Sequence, residues 1–248
     1  MKVVGAIPAR WGSTRLPGKS LIPIAGKPLI QWVIESARKA QCLNELLVAT
    51  DDQRIADFVG GLGVRPVMTS PTHPSGTDRV AEAVRGLGAD VVVNIQGDEP
   101  VIETGLIDRL AAATAPNQPW EMATAAAPID NPADVSAPSV VKVVCGENGR
   151  ALYFSRSVIP FVRDAEPVTA APVHWRHLGI YAYKAAFLEQ LVKTPPSLLE
   201  RLEKLEQLRA LHLGARIAVL PTKERSVGVD TPGGLAYAER VIRQLHGT

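Results

Sequence analysis

The sequence predicts an α/β protein built on a doubly wound, mostly parallel sheet. Three observations carry that reading. Near-continuous apolar runs at residues 3–7, 46–50 and 91–95 have the composition of parallel strands covered on both faces. Amphipathic helical patterns separate these runs. Proline or glycine punctuates the joins, as at Pro28 and Gly88. Sheets of this kind bind ligands outside the carboxyl ends of their strands.

Taken in order, the first run feeds a Gly/Ser/Thr/Pro loop. Pro28 then stands at a first-turn position, and Leu29, Ile30, Val33, Ile34 and Ala37 follow at helical spacing. Residues 53–62 and 77–87 are two further helical patterns, with Thr77 as a candidate cap for the second. The pattern changes after about Met122. Residues 140–145 and 178–183 read as strands, with too little amphipathic helix between them for a simple βαβ unit. The proline-rich stretch between them belongs to an insertion of about 127–178. It is expected to extend the sheet with antiparallel strands and to offer a dimer surface. The whole chain, 1–248, reads as a single domain carrying this insertion. Helices resume at 185–192 and 198–213. In the second, Leu199, Leu202, Leu205, Leu208 and Leu211 recur every three residues, a stripe expected in the core. A late strand at 217–220 and a closing helix at 232–245 complete the chain.

A chain of 248 residues can bury a substantial core without disulfides or metals. Its two cysteines, Cys42 and Cys145, give no disulfide framework, which points to a reducing, cytoplasmic setting. Arg10 and Arg15 follow an apolar run of only five residues, unlike a signal peptide. No apolar run approaches the roughly 18 residues of a membrane span. With 27 Lys+Arg against 25 Asp+Glu and no basic helix with interleaved aromatics, neither nucleic acid nor membrane insertion is expected.

The charge is nevertheless uneven. The first carboxylate is Glu35, and before it stand Lys2, Arg10, Arg15, Lys19 and Lys27. Three of these cations lie on one loop after a strand, where backbone N–H groups and fixed charge suit a phosphate chain. The loop is not a P-loop. Five residues separate Gly12 from Gly18, Pro17 stiffens the turn, and Pro23 and Gly26 argue against a helix after Lys19. The dinucleotide G-x-G-x-x-G is absent too, since Gly12 is the next glycine after Gly5.

What remains is P-A-R-W-G-S-T-R-L-P-G-K at 8–19, H-P-S-G-T-D-R at 73–79 and N-I-Q-G-D-E-P at 94–100. Y-F-S-R at 153–156, R-H-L-G-I-Y at 176–181, L-E-Q-L-R at 205–209 and G-V-D-T-P at 228–232 follow. In this order the set resembles the sugar nucleotidyltransferases of GT-A-like, Rossmann-like fold. Within them it is most similar to the cytidylyltransferases that activate acidic sugars, above all 3-deoxy-manno-octulosonate (Kdo). The sialic-acid relatives carry a different loop after P-A-R. Trp11 stands where the family often has Tyr, and Gly233-Gly234 replaces a usual acidic pair.

The resemblance implies transfer of CMP from CTP to a sugar hydroxyl, with Mg²⁺ as cofactor, CTP and Kdo as substrates and a homodimer as the assembly. It implies catalytic roles for Arg10, Lys19 and Asp98, and nucleotide binding by Pro8, Ala9, Arg10, Arg15, Lys19, Ser75, Gly76, Arg79 and Gln96. Arg156, His177, Tyr181, Glu206 and Gln207 fall to the sugar, and Asp98 and Asp230 to the metal. Other readings stand beside these. Asp230 suits an Asx-turn or helix cap before Pro232. Glu206 and Gln207 suit the solvent edge of the leucine stripe, and Tyr181 a core position. The acceptor alternatives are 8-amino-Kdo or a sialic-acid-like sugar, and a catalytically silent nucleotide-binding module is a further alternative. The product would serve lipopolysaccharide, capsule or a plant wall polymer.

Overall fold

The structure, a computed structural model, describes residues 1–12, 16–163, 172–223, 228–229 and 231–246. Strand β1 (Val3–Ala9) lies at the centre of the sheet, and almost every residue in it is buried. After it come two short strands, β2 (Pro23–Ile24) and β3 (Lys27–Pro28), and helix α1 (Leu29–Ala37). Then follow β4 (Glu45–Thr50), α2 (Gln53–Gly61), β5 (Arg65–Met68), α3 (Gly76–Ala83) and β6 (Val91–Asn94). Helix α4 (Thr104–Ala113) and strand β7 (Met122–Pro128) follow; neither was marked in the sequence reading. The chain continues through α5 (Pro132–Ser136), β8 (Lys142–Cys145), β9 (Ala151–Ser155) and the long β10 (Trp175–Lys184). It closes with α6 (Ala185–Lys193), α7 (Leu198–Glu203), α8 (Gln207–His212), β11 (Ile217–Pro221) and α9 (Pro232–His246).

Among the described residues the main sheet runs β11-β7-β10-β6-β1-β4-β5. The β6-β1-β4-β5 half is parallel throughout, and β11 is parallel to β7. Only β10 on this path runs against its neighbours β6 and β7. Strands β8 and β9 join antiparallel beside β10. Alternate β1 residues explain the double winding. Val3 and Ile7 enter a cluster with Val33, Ile34, Ile55 and Ile107 on one face. Val4 and Ala6 enter another with Val80, Leu188 and Leu208 on the opposite face.

Two local expectations are corrected. Helix α3 is capped by Ser75, whose hydroxyl accepts from the Asp78 N–H; Thr77 is inside the helix. The helix expected over 198–213 is two helices. Lys204 breaks them in the left-handed region (φ 55°, ψ 48°). The break splits the leucine stripe. Leu205 and Leu208 are buried, but Leu199 and Leu202 face outward, the latter 70% exposed. A capping box at Ser197 and Glu200 starts α7. The Arg209 guanidinium donates to Glu200 at 2.6 Å and locks the corner between α7 and α8.

Candidate active site

Two adjoining cavities lie at the carboxyl ends of β1 and β6. The smaller, about 280 Å³, collects Pro8, Ala9, Arg10, Lys19, Ser75, Gly76, Arg79, Gln96 and Asp98. These are all the expected nucleotide residues except Arg15, which is outside the described residues. The larger, about 440 Å³, collects His177, Tyr181, Glu206 and Gln207. Gly76, Gln96 and Glu206 line both, so the cavities share a wall.

Backbone detail forms the smaller cavity. Gly18 adopts φ 67°, and a Cβ there would meet the Trp11 ring at 2.8 Å. The Gly18 N–H donates to the Trp11 carbonyl, and the Arg54 guanidinium lies over the Trp11 ring, 3.4 Å from its centroid. The described ends of the loop thus meet at Trp11 and Gly18, with Lys19 directly after the turn. Gly97 packs more tightly still: a Cβ there would lie 2.5 Å from the Pro8 carbonyl oxygen. The β1 and β6 ends approach this closely because position 97 has no side chain.

The Lys19 ammonium donates to the Asp98 carboxylate at 2.6 Å. Arg10 makes no ion pair among the described residues and is exposed at the cavity rim. Arg79 is buried, its guanidinium held by Asp51 at 2.8 Å and Thr69 at 2.6 Å. It therefore anchors the start of α3 beneath the cavity. His73, which the sequence reading left without a role, also lines this cavity; its ring is bound to Glu82, whose carboxyl is held below its ordinary pKa by that contact and by the Ser70 N–H.

In the larger cavity, β10 carries a bulge between Leu178 and Tyr181. The Thr124 hydroxyl fills it, 2.9 Å from His177 Nε2 and 2.9 Å from the Ile180 carbonyl. Burial drives the His177 pKa down to about 3, so the ring is neutral. It offers hydrogen bonds but no charge. Burial raises the Tyr181 hydroxyl well above its ordinary range. Burial also raises Glu206, against opposing hydrogen bonds from Thr77 and Ser75. The solvent-edge reading of Glu206 and Gln207 is overturned, because the break at Lys204 turns both into the cavity. Tyr181 is partly buried against the core and also lines the cavity.

Arg156 is not among the lining residues of either cavity. Its guanidinium donates to the Glu203 carbonyl at 2.7 Å and the Pro138 carbonyl at 2.9 Å, clamping the β9 end to α7. The cations lining the larger cavity are instead Arg176 and Lys204, which the sequence reading did not select. Arg176 donates to Asp134 at 2.5 Å. Lys204 has no ion pair or side-chain hydrogen bond among the described residues. Its left-handed backbone costs roughly 1–2 kcal/mol where glycine would cost little.

Asn94 was also missed. It is 1% exposed and lines the larger cavity, and among the described residues neither its Oδ1 nor Gln207 Nε2 has a hydrogen-bond partner. A buried orphan of this kind costs about 1–3 kcal/mol. The signal was present as the single polar residue in the run at 91–95.

Asp230 is outside the described residues. Its neighbour Val229 donates to the Asp98 carbonyl at 2.9 Å, which brings that turn against Asp98. The cap of α9 is Thr231, whose hydroxyl accepts from the Gly234 N–H. No cluster of three or more His, Cys, Asp or Glu exists among the described residues. A hard cation that binds through one or two carboxylates and substrate phosphates, as Mg²⁺ does, fits the oxygen donors at Asp98.

Strand-end cations, a strand-end carboxylate and a two-part cleft define a nucleotidyltransferase. The cytidylyltransferase family model matches residues 4–217. A 3-deoxy-manno-octulosonate cytidylyltransferase of Bdellovibrio bacteriovorus is 47% identical over 243 residues, 98% of each chain. One of Syntrophobacter fumaroxidans is 50% identical over 249 residues, again 98% of each. A solved CMP:2-keto-3-deoxy-manno-octonic acid synthetase, complexed with CTP, superimposes with a TM-score of 0.92 at 40% identity, covering 99% of this chain and 100% of that one. The chain belongs to the family of 3-deoxy-manno-octulosonate cytidylyltransferases. No helix among the described residues is long and apolar enough to cross a membrane.

Proposed function

We propose that the chain transfers CMP from CTP to the anomeric hydroxyl of Kdo, giving CMP-Kdo and pyrophosphate. One observation carries this reading: the cationic loop and the polar sugar-sized cavity meet at the wall formed by Gly76, Gln96 and Glu206. A nucleotide in one and a polyhydroxylated acceptor in the other would face each other there. The relatives named for this reaction, and the similar enzyme complexed with CTP, support the same choice.

The new bond joins the anomeric oxygen to the α-phosphorus, and the bond from that phosphorus to the pyrophosphate oxygen breaks. Negative charge grows on the leaving group, so Arg10, Arg15 and Lys19 act most strongly in the transition state. Pro8 and Ala9 present backbone groups to cytosine, with Ser75, Gly76 and Gln96 completing the recognition. Arg79 positions that corner through Asp51 and Thr69. Asp98 and Asp230 would hold Mg²⁺, which when bound neutralises phosphate charge and acidifies the attacking hydroxyl. Lys19 and Asp98, paired to each other here, would then each turn to a ligand.

His177, Tyr181, Glu206 and Gln207 meet the sugar hydroxyls. Lys204 takes the sugar carboxylate. Leu198, Leu199 and Leu202 of α7 are exposed, and Glu203 at the end of that helix binds both Ser155 and the Arg156 N–H. This apolar face, joined to the 127–178 insertion of the single domain, is assigned to a homodimer contact. The setting is cytoplasmic, and the product serves lipopolysaccharide assembly.

The test is pyrophosphate release from CTP and Mg²⁺ with and without Kdo. Release dependent on Kdo is expected. Release with 8-amino-Kdo or sialic acid but not Kdo would move the acceptor assignment. Release with none of the three would refute the transfer reaction.

A further inference from the structure

We propose that Asn94 is a specificity-determining residue whose side-chain amide reads one hydroxyl of the acceptor sugar. The inference rests on the proposed transfer to Kdo, and it adds a residue outside the set implied by resemblance. Asn94 ends β6, the strand that leads to Asp98, and pairs across the sheet with Tyr181. Its side chain is buried and lines the larger cavity. Asn94 and Thr77 lie near the Tyr183 hydroxyl and offset in part the rise that burial gives its pKa. The Asn94 Oδ1 has no hydrogen-bond partner among the described residues.

A core position with no ligand to meet would favour an apolar residue here, since Val91, Val92 and Val93 precede it and Ile95 follows, all fully buried. Retaining a half-satisfied amide among them calls for a partner that arrives from the cavity. Gln207 Nε2, also orphaned, lines the same cavity. A sugar hydroxyl both donates and accepts, so a polyol can satisfy an acceptor and a donor together. Two buried orphans then discriminate sharply against an acceptor lacking the matching hydroxyl, because the protein group stays unpaired in the closed complex.

The experiment compares wild type and Asn94→Leu on Kdo and on a set of its monodeoxy analogues, reading kcat/KM by pyrophosphate release. Wild type is expected to lose at least about tenfold on one analogue. Asn94→Leu should lose a similar factor on Kdo, show less than about twofold further loss on that analogue, and keep the wild-type KM for CTP. If Leu is not accommodated, Asn94→Ala removes the same amide without added branching and is read in the same way. A variant penalised equally on every analogue, or one that keeps the wild-type pattern, would overturn the role of Asn94 while leaving the transfer reaction standing. Wild type inactive with Kdo itself would overturn both.

Discussion

The Lys19 ammonium and the Asp98 carboxylate sit 2.6 Å apart, each largely shielded, on segments that only the fold brings together. Each neutralises the other in the free chain. On the proposed roles, with Lys19 turning to phosphate and Asp98 to the metal, nucleotide binding exchanges this ion pair for contacts with the ligand. Lys19→Ala should lower kcat by about a hundredfold, as loss of one preorganised charge contact does. Asp98→Asn should abolish turnover with the fold intact, measured by pyrophosphate release and circular dichroism. Near-wild-type rates from either variant would contradict the exchange.

Gly97→Ala tests the close approach of β1 and β6. The added methyl would press on the Pro8 carbonyl, which is backbone and has little room to yield. A stability loss of about 1–3 kcal/mol is expected by chemical denaturation. The KM for CTP should rise more than the KM for Kdo, because Pro8 lies on the nucleotide side of the wall. Equal effects on both substrates would argue against backbone reading of the base.

Lys204→Gly separates function from backbone strain. Glycine accepts the left-handed conformation freely, so the thermal midpoint should stay or rise. The KM for Kdo should rise at least about tenfold with the KM for CTP unchanged, the scale of one lost charge contact. An unchanged KM for Kdo would return the search for the carboxylate partner to Arg176.

His177 links the cavity to acid stability. Its folded pKa, about 3, lies below the ordinary 6.5, so the unfolded chain binds the proton more readily. The contribution is fully present above pH 6.5 and is lost as pH falls toward 3. Urea midpoints should therefore decline through this window, and His177→Gln should flatten that part of the slope even if it lowers stability at neutral pH. A slope unchanged by the substitution would mean that other groups set it.

The apolar face of α7 predicts assembly. Wild type should run at twice the chain mass in light scattering, and Leu202→Glu should shift it toward the monomer. Leu202 is 70% exposed, so the substitution leaves the core untouched. A monomeric wild type would remove the dimer assignment.

The sequence made some of this legible and hid the rest for physical reasons. Buried parallel strands announce themselves by apolar runs, so β1, β4 and β6 were readable, and the residues proposed for the nucleotide, named from their motifs, gather in one cavity at the ends of β1 and β6. Strand β7 was not, because M-A-T-A-A-A-P has weak strand character and is held by its neighbours β10 and β11. The α7–α8 break was hidden by a leucine stripe that continues across Lys204, although only its second half enters the core. Motif membership gave no direction for the Arg156 side chain, and in sequence its clamp on the Glu203 and Pro138 carbonyls looks the same as a ligand contact. Asn94 was legible in principle, as a lone amide in a run of valines.

Strand β6 ends at Asn94, which lines one cavity, and four residues beyond it Asp98 lines the other. Asn94 is pinned between β1 and β10 and cannot be re-aimed without disturbing the sheet. The acceptor-facing side of the protein thus has one unyielding margin and one adaptable margin, the latter at the α7–α8 corner. Descendants of this sequence that take up a different sugar should therefore accumulate their changes around 198–209 and leave 91–98 alone. Diversification would follow the corner, with the sheet as its fixed ruler.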